Sequence, residues 1–172
     1  MASPIENQID FNSIDDILRH GFFGFRTIES LWIDRTCIPK YKGVYLVLDQ
    51  NGKPYFMNPG VGGFFKGRDP NVSVVELNDN HVPGSLVVYI GKAGGPTSMP
   101  TLHSRLGQYL RFGQGMNVGH WGGRLIWQLK NHRGLLLCWK PTPDDDPREV
   151  EKLLISNYEK QYGKKPFANL VR

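Results

Sequence analysis

Hydrophobic positions change their spacing several times along the chain, and those changes outline its elements. After Ser13, a residue suited to capping a helix, Ile14, Ile17 and Leu18 follow helical spacing. Gly21-Phe22-Phe23-Gly24-Phe25 reads as a tight turn feeding aromatic side chains into a core, and residues 27–34 as a second short helix. From Gly43 the texture becomes that of strands, beginning with the unbroken apolar run Val44-Tyr45-Leu46-Val47-Leu48. Asn51-Gly52 predicts a type I′ hairpin turn, with residues 54–57 as the returning strand. A loop rich in glycine and charge covers residues 60–70; residues 72–77 alternate as a strand does, and residues 86–90 form a stronger one. Residues 101–111 carry a helical period and 113–123 form a glycine-rich loop. Residues 124–130 fit a strand or a helical turn, 135–140 a strand, and 147–162 a final helix. No internal repeat and no linker divides the 172 residues, so a single domain is expected.

The final helix has a clear start signal: Asp146 can cap it, Pro147 suits its first position, and Glu149 stands where a capping box places its acid. At about 100° per residue, Val150, Leu154, Ile155, Tyr158 and Tyr162 share one face, and Glu151 points into the middle of it. A carboxylate there is costly unless an Arg or Lys pairs with it or a metal binds it. In the helix at 101–111 the apolar face is Leu102, Leu106, Tyr109 and Leu110, with Arg105 on its border and Arg111 turned away.

Composition narrows the partners. Lys plus Arg outnumber Asp plus Glu by 21 to 16, an excess that suits a polyanion without identifying one. Cys37 and Cys138 form neither a zinc pattern nor a disulfide framework, and Cys138 reads as a buried small hydrophobe. The first eleven residues hold no basic stretch followed by an apolar one, and no apolar run reaches membrane length. The expectation is therefore a cytoplasmic protein that does not engage a membrane. Gly91-Lys92 is not a phosphate-binding loop, because the preceding glycine is Gly84 and Ala93 stands where Ser or Thr is needed. The five histidines show no metal-ligand spacing.

Five segments in order resemble the GIY-YIG nuclease family. Gly43-Val44-Tyr45 matches the first signature triplet with Val for Ile, and Tyr89-Ile90-Gly91 matches the second without change, followed by Lys92-Ala93. Residues 102–109 resemble the helix of the family's essential arginine, which falls on Arg105. Glu151-Lys152-Leu153-Leu154-Ile155 matches the segment of its metal-binding glutamate, and Pro166-Phe167-Ala168-Asn169 the closing segment with its asparagine on Asn169. The resemblance spans residues 43–169 and implies an α/β fold, a small mainly antiparallel sheet flanked by helices. Relative to it, residues 1–42 are a helical extension and residues 46–88 a β-rich insertion, since relatives join the two triplets by a tight hairpin.

The implied activity is that of a one-metal endonuclease hydrolysing phosphodiester bonds, with DNA favoured over RNA as substrate and a monomer or homodimer as the acting form. In that reading Glu151 binds Mg²⁺ or Mn²⁺ and Arg105 holds a non-bridging phosphate oxygen. Tyr45 is the preferred general base, its pKa lowered by a neighbouring Lys92; Lys92 itself or Tyr89 are the alternatives. Asn169 orients a strand or a metal-bound water. Many relatives carry a histidine one turn after the arginine, where this chain has Tyr109, and His103 or His120 are candidates to replace it. Lys66 and Arg68 of the insertion, and His120, Trp121 and Arg124 of the glycine-rich loop, have the composition to grip phosphate and stack on a base; purely structural loops are the alternative. The rival function is a non-catalytic nucleic-acid-binding module on the same fold.

Overall fold

The run from Val44 to Leu48 has no polar alternation, so a strand built from it must be covered on both faces. In the computed structural model, which describes residues 8–95 and 100–170, this is the case. Strand β2 (Gly43–Leu48) is buried at every position. It pairs antiparallel with β3 (Val87–Ala93) on one side and β4 (Leu136–Pro141) on the other. Strand β1 (Phe23–Thr27) joins the far edge of β4, also antiparallel, giving the order β1-β4-β2-β3. The expected α/β fold with an antiparallel sheet and flanking helices is thus observed.

Side chains that alternate along β2 enter two different cores. Tyr45 and Val47 face helices α2 (Ile28–Ile33) and α4 (Leu102–Phe112), whose Leu31, Leu102, Leu106 and Leu110 are fully or almost fully buried. Val44, Leu46 and Leu48 face the opposite layer, where α1 (Ile14–Arg19) and α5 (Pro147–Tyr162) contribute Ile17, Leu154 and Tyr158. Local capping fixes where these helices start. Ser13 accepts from the Asp16 N–H, Thr27 from Ser30, Thr101 from Ser104 in a reciprocal capping box, and Asp146 from Arg148. Glu149 instead turns outward to Lys152, 3.6 Å away, an exposed pair worth little.

Several sequence expectations are corrected. The segment read as a turn after Gly21 is largely strand β1: Phe22 enters the core, Phe23 is exposed, and a bulge between Gly24 and Arg26 breaks the alternation that would have marked it. The N-terminal extension is therefore not only helical but supplies a sheet edge; its residues 1–7 lie outside the described residues. Neither Asn51 nor Gly52 takes the positive φ of a type I′ turn, and residues 54–57 contribute only an isolated bridge, Phe56 to Leu129. Residues 72–77 do not form a strand. Ser73 accepts from the Glu76 N–H and starts helix α3 (Val74–Asn80), which buries Leu77 and leaves Val74 and Val75 exposed. The insertion is thus loops, one short 3₁₀ turn (Phe65–Gly67) and a helix rather than β-rich. Residues Arg124–Gln128 form a 3₁₀ turn.

Gln128 fastens the insertion to the body. Its amide is buried and bonds the Val72 N–H at 2.9 Å, the Val72 carbonyl at 2.9 Å and the Met57 carbonyl at 3.1 Å. At the other sheet edge, the chain after α5 returns along β3: the Ala168 N–H donates to Val88 O, and the Asn169 amide both accepts from Ile90 N and donates to Ile90 O, each at 2.9 Å. Gln128→Ala strands two carbonyls and one N–H in the interior and is expected to cost about 3 kcal/mol. Urea unfolding checks this, with the exposed Gln114→Ala expected to stay within about 0.5 kcal/mol of wild type.

Candidate functional site

Tyr45 projects from β2 toward α4, and the register pairs it with Gly91 of β3. A β-carbon at Gly91 would collide with the Tyr45 ring, so only glycine allows the phenol to lie across this strand. The hydroxyl is reached from two sides. It hydrogen-bonds to the Tyr89 hydroxyl, and it lies 3.3 Å from His120 Nε2. A hydroxyl has one proton to give. With that proton on one neighbour, the other donates to the Tyr45 oxygen, and the His120 imidazole also meets the backbone at His120 and Gly122. Tyr45 is thus the middle member of a hydrogen-bonded chain that joins His120, Tyr45 and Tyr89.

Helix α4 supplies the next layer. Tyr109 stacks on the His120 ring with centroids 4.3 Å apart and donates its hydroxyl to Gly123 O at 2.7 Å. Gly123 takes φ +74°, and a side chain there would strike both the Tyr109 hydroxyl and the Tyr89 ring. Arg105, half-buried one turn earlier, donates to Gly119 O at 3.0 Å and to Gln108 Oε1 at 3.1 Å. The loop at 113–123 is thereby drawn over the tyrosines: Tyr45 and His120 are each 1% exposed, while Tyr89 keeps 8%.

Burial sets the electrostatics. It raises the Tyr45 phenol well above its usual value; Tyr89 and, least, Glu151 push the same way, and Arg105 opposes them. The expectation of a Tyr45 phenolate favoured by Lys92 is corrected by this. Lys92 pairs with Val44, so its side chain leaves the α5 face of the sheet, and its ammonium lies 3.4 Å from Gly94 O. Burial, then the Arg105 charge, lower the His120 pKa to about 3, so the imidazole is neutral near pH 7. His120 cannot be the surface phosphate contact its loop suggested, but it is the histidine that meets the signature tyrosine.

Glu151 stands on the first turns of α5, half-buried beside the apolar face formed by Val150, Leu154 and Tyr158, and its charge reaches Tyr45. Among the described residues no three His, Cys, Asp or Glu side chains form a metal-binding group. A divalent ion at Glu151 would thus lack the three or four His, Cys or carboxylate ligands of a zinc site, and would suit Mg²⁺ or Mn²⁺ completed by water and phosphate. Asn169 spends its amide on Ile90, which makes it a strand-orienting residue. His103 lies at the start of α4, its backbone N–H donating to Pro39 O.

The residues expected to grip nucleic acid also meet. The Arg68 and Arg124 guanidinium groups lie 4.3 and 4.4 Å from the Trp121 ring centroid, and the Lys66 ammonium 5.3 Å from the Phe65 ring. What the sequence missed is the source of this closeness. Gly63 N–H donates to Phe112 O, and Phe65 packs on Gly119, so the insertion and the 113–123 loop share one surface. Lys66 holds φ +53°, an uncommon region for its type, and its N–H donates to Asn117 Oδ1 at 3.2 Å.

Comparison of the chain with known protein families, with curated proteins and with solved structures finds no match in any of the three. No helix among the described residues is long and apolar enough to cross a membrane.

The depressed His120 pKa predicts a pH dependence. An unfolded histidine takes a proton near pH 6.5 and the folded one does not, so this group's contribution is full above pH 6.5 and falls as pH drops toward 3. Between pH 6.5 and 4.5 the loss from His120 is expected to reach about 2–3 kcal/mol. Urea unfolding of His120→Gln across that range should show a shallower decline than wild type; equal slopes would remove His120 from the account.

Proposed function

We propose that this protein is a metal-dependent nuclease that hydrolyses phosphodiester bonds, DNA being the favoured substrate, by chemistry of the GIY-YIG kind. The observation that carries the reading is the convergence of Tyr45, Tyr89, Arg105 and Glu151. They come from β2, β3, α4 and α5, and both charged members act on the Tyr45 hydroxyl. These are the residues on which the family resemblance rests, and they lie up to 106 positions apart in the chain, from Tyr45 to Glu151.

Hydrolysis forms a bond from a water oxygen to phosphorus and breaks the bond from phosphorus to the 3′ oxygen, while a base takes the water proton. Arg105 carries a planar donor fork for a non-bridging oxygen. A divalent ion on Glu151, completed by waters and the substrate phosphate, would neutralise charge on the departing 3′ oxygen. Tyr89, as its phenolate, is assigned the water proton, being the more exposed of the two signature tyrosines and hydrogen-bonded to Tyr45 behind it. Tyr45 and His120 are then positioning residues, and Tyr45 stays protonated throughout.

Supercoiled plasmid and labelled oligonucleotides incubated with Mg²⁺ or Mn²⁺ test the reading. Wild type is expected to cleave, and Glu151→Ala and Arg105→Ala each to lose at least about 10²-fold in rate. Equal rates in wild type and Glu151→Ala would overturn the mechanism. Binding by wild type with no cleavage of any substrate would favour the rival binding module.

A further inference from the structure

We infer that Lys66, Arg68 and Arg124 form a preassembled clamp for the phosphate backbone of nucleic acid, one that makes the insertion a substrate-holding element. The inference rests on the nucleic-acid reading above and adds to it where the strand lies and what is read. Two chain segments 56 residues apart, ending in Arg68 and Arg124, hold their guanidinium groups on one indole ring. Arg124 is further fixed by donating to Trp121 O at 3.4 Å.

Two like charges do not gather without an opposing influence. Burial and the Arg68 charge both lower the Arg124 pKa, and the single acid that opposes them is Glu76. No ion pair involving Lys66, Arg68 or Arg124 occurs among the described residues. Each cation instead rests on an aromatic ring, which orients it; Lys66 and Arg68 are exposed and Arg124 is half-buried. The two guanidinium groups lie 4.3 and 4.4 Å from the same ring centroid, so they address one short stretch of backbone. Such planar forks match phosphate oxygens and carry no sequence information. The Trp121 ring holds the arginines, which replaces its expected role as a platform for a base.

The surface is continuous with the tyrosine cluster. Trp121 follows His120 directly, and the same loop receives Arg105 on Gly119 O. A strand laid along the three cations is therefore led toward Arg105 and Tyr89. Recognition of this kind is tolerant of sequence and steeply dependent on salt.

Fluorescence anisotropy with a labelled DNA duplex, in EDTA so that nothing is cut, tests the clamp. Arg68→Ala/Arg124→Ala is expected to weaken binding at least about 10-fold and to lower the slope of log K against log salt by about two. Lys53→Ala/Arg133→Ala removes the same charge elsewhere and should keep the wild-type slope; thermal melting confirms that both variants fold. An unchanged slope in the Arg68/Arg124 variant, or no duplex binding by wild type, overturns the clamp. Inorganic phosphate and anionic phosphatidylserine vesicles are the comparison ligands: weak competition by phosphate is expected, and tighter binding to vesicles than to duplex overturns nucleic acid as the partner. Plasmid cleavage is scored separately. Loss of slope without any cleavage keeps the clamp and removes the nuclease, whereas metal-dependent cleavage with an unchanged slope does the reverse.

Discussion

A phenol sealed from water has to find its hydrogen bonds inside the protein, and the fold around Tyr45 is arranged to provide them. Burying a hydroxyl without a partner costs a few kcal/mol, about as much as a packed leucine contributes. Each element near Tyr45 answers part of that demand. Strand β3 supplies the Tyr89 hydroxyl and, at Gly91, the gap through which the ring passes. The loop after α4 supplies His120, and α4 holds the loop down through Arg105 and Tyr109. The central strand, its edge neighbour, the arginine helix and the loop are thus held to one geometry by a single oxygen atom.

That geometry joins the hydroxyls to neutral partners. His120 is kept neutral by burial and by Arg105, so it meets Tyr45 as an imidazole and not as a cation. Tyr45 is kept protonated by the same burial. The more exposed end of the chain is Tyr89. In the proposed reading, base, arginine and carboxylate would work at the edge of this cluster, with water excluded from the groups behind them.

Much of this was legible in the sequence where the signal was local. The unbroken apolar run at 44–48 marked the central strand, the caps read at Ser13 and Asp146 lie at observed helix starts, and the helices read from 27 and 101 begin there. Helical phase alone singled out Glu151 and set Arg105 at the border of its face. Errors arose where a local pattern was outvoted. A bulge hid β1, the Ser73 cap turned an alternating valine stretch into α3, and Asn51-Gly52 lacked a second strand to join. The roles of Tyr45 and His120 depended on how deeply a glycine-rich loop would bury them. Nothing near either residue in the chain carries that information, because it is set by Gly119 meeting Arg105 and Phe65 from other segments.

The account turns on Tyr89 as the acceptor of the water proton, with Tyr45 behind it. Single-turnover cleavage of a labelled duplex at saturating enzyme, compared between Tyr89→Phe and Tyr45→Phe, tests this most directly. Loss of the Tyr89 hydroxyl should slow the chemical step by about 10³-fold with DNA binding unchanged, and loss of the Tyr45 hydroxyl by only about 10-fold. Tyr89→Phe cleaving at the wild-type rate, or Tyr45→Phe suffering the greater loss, would contradict it.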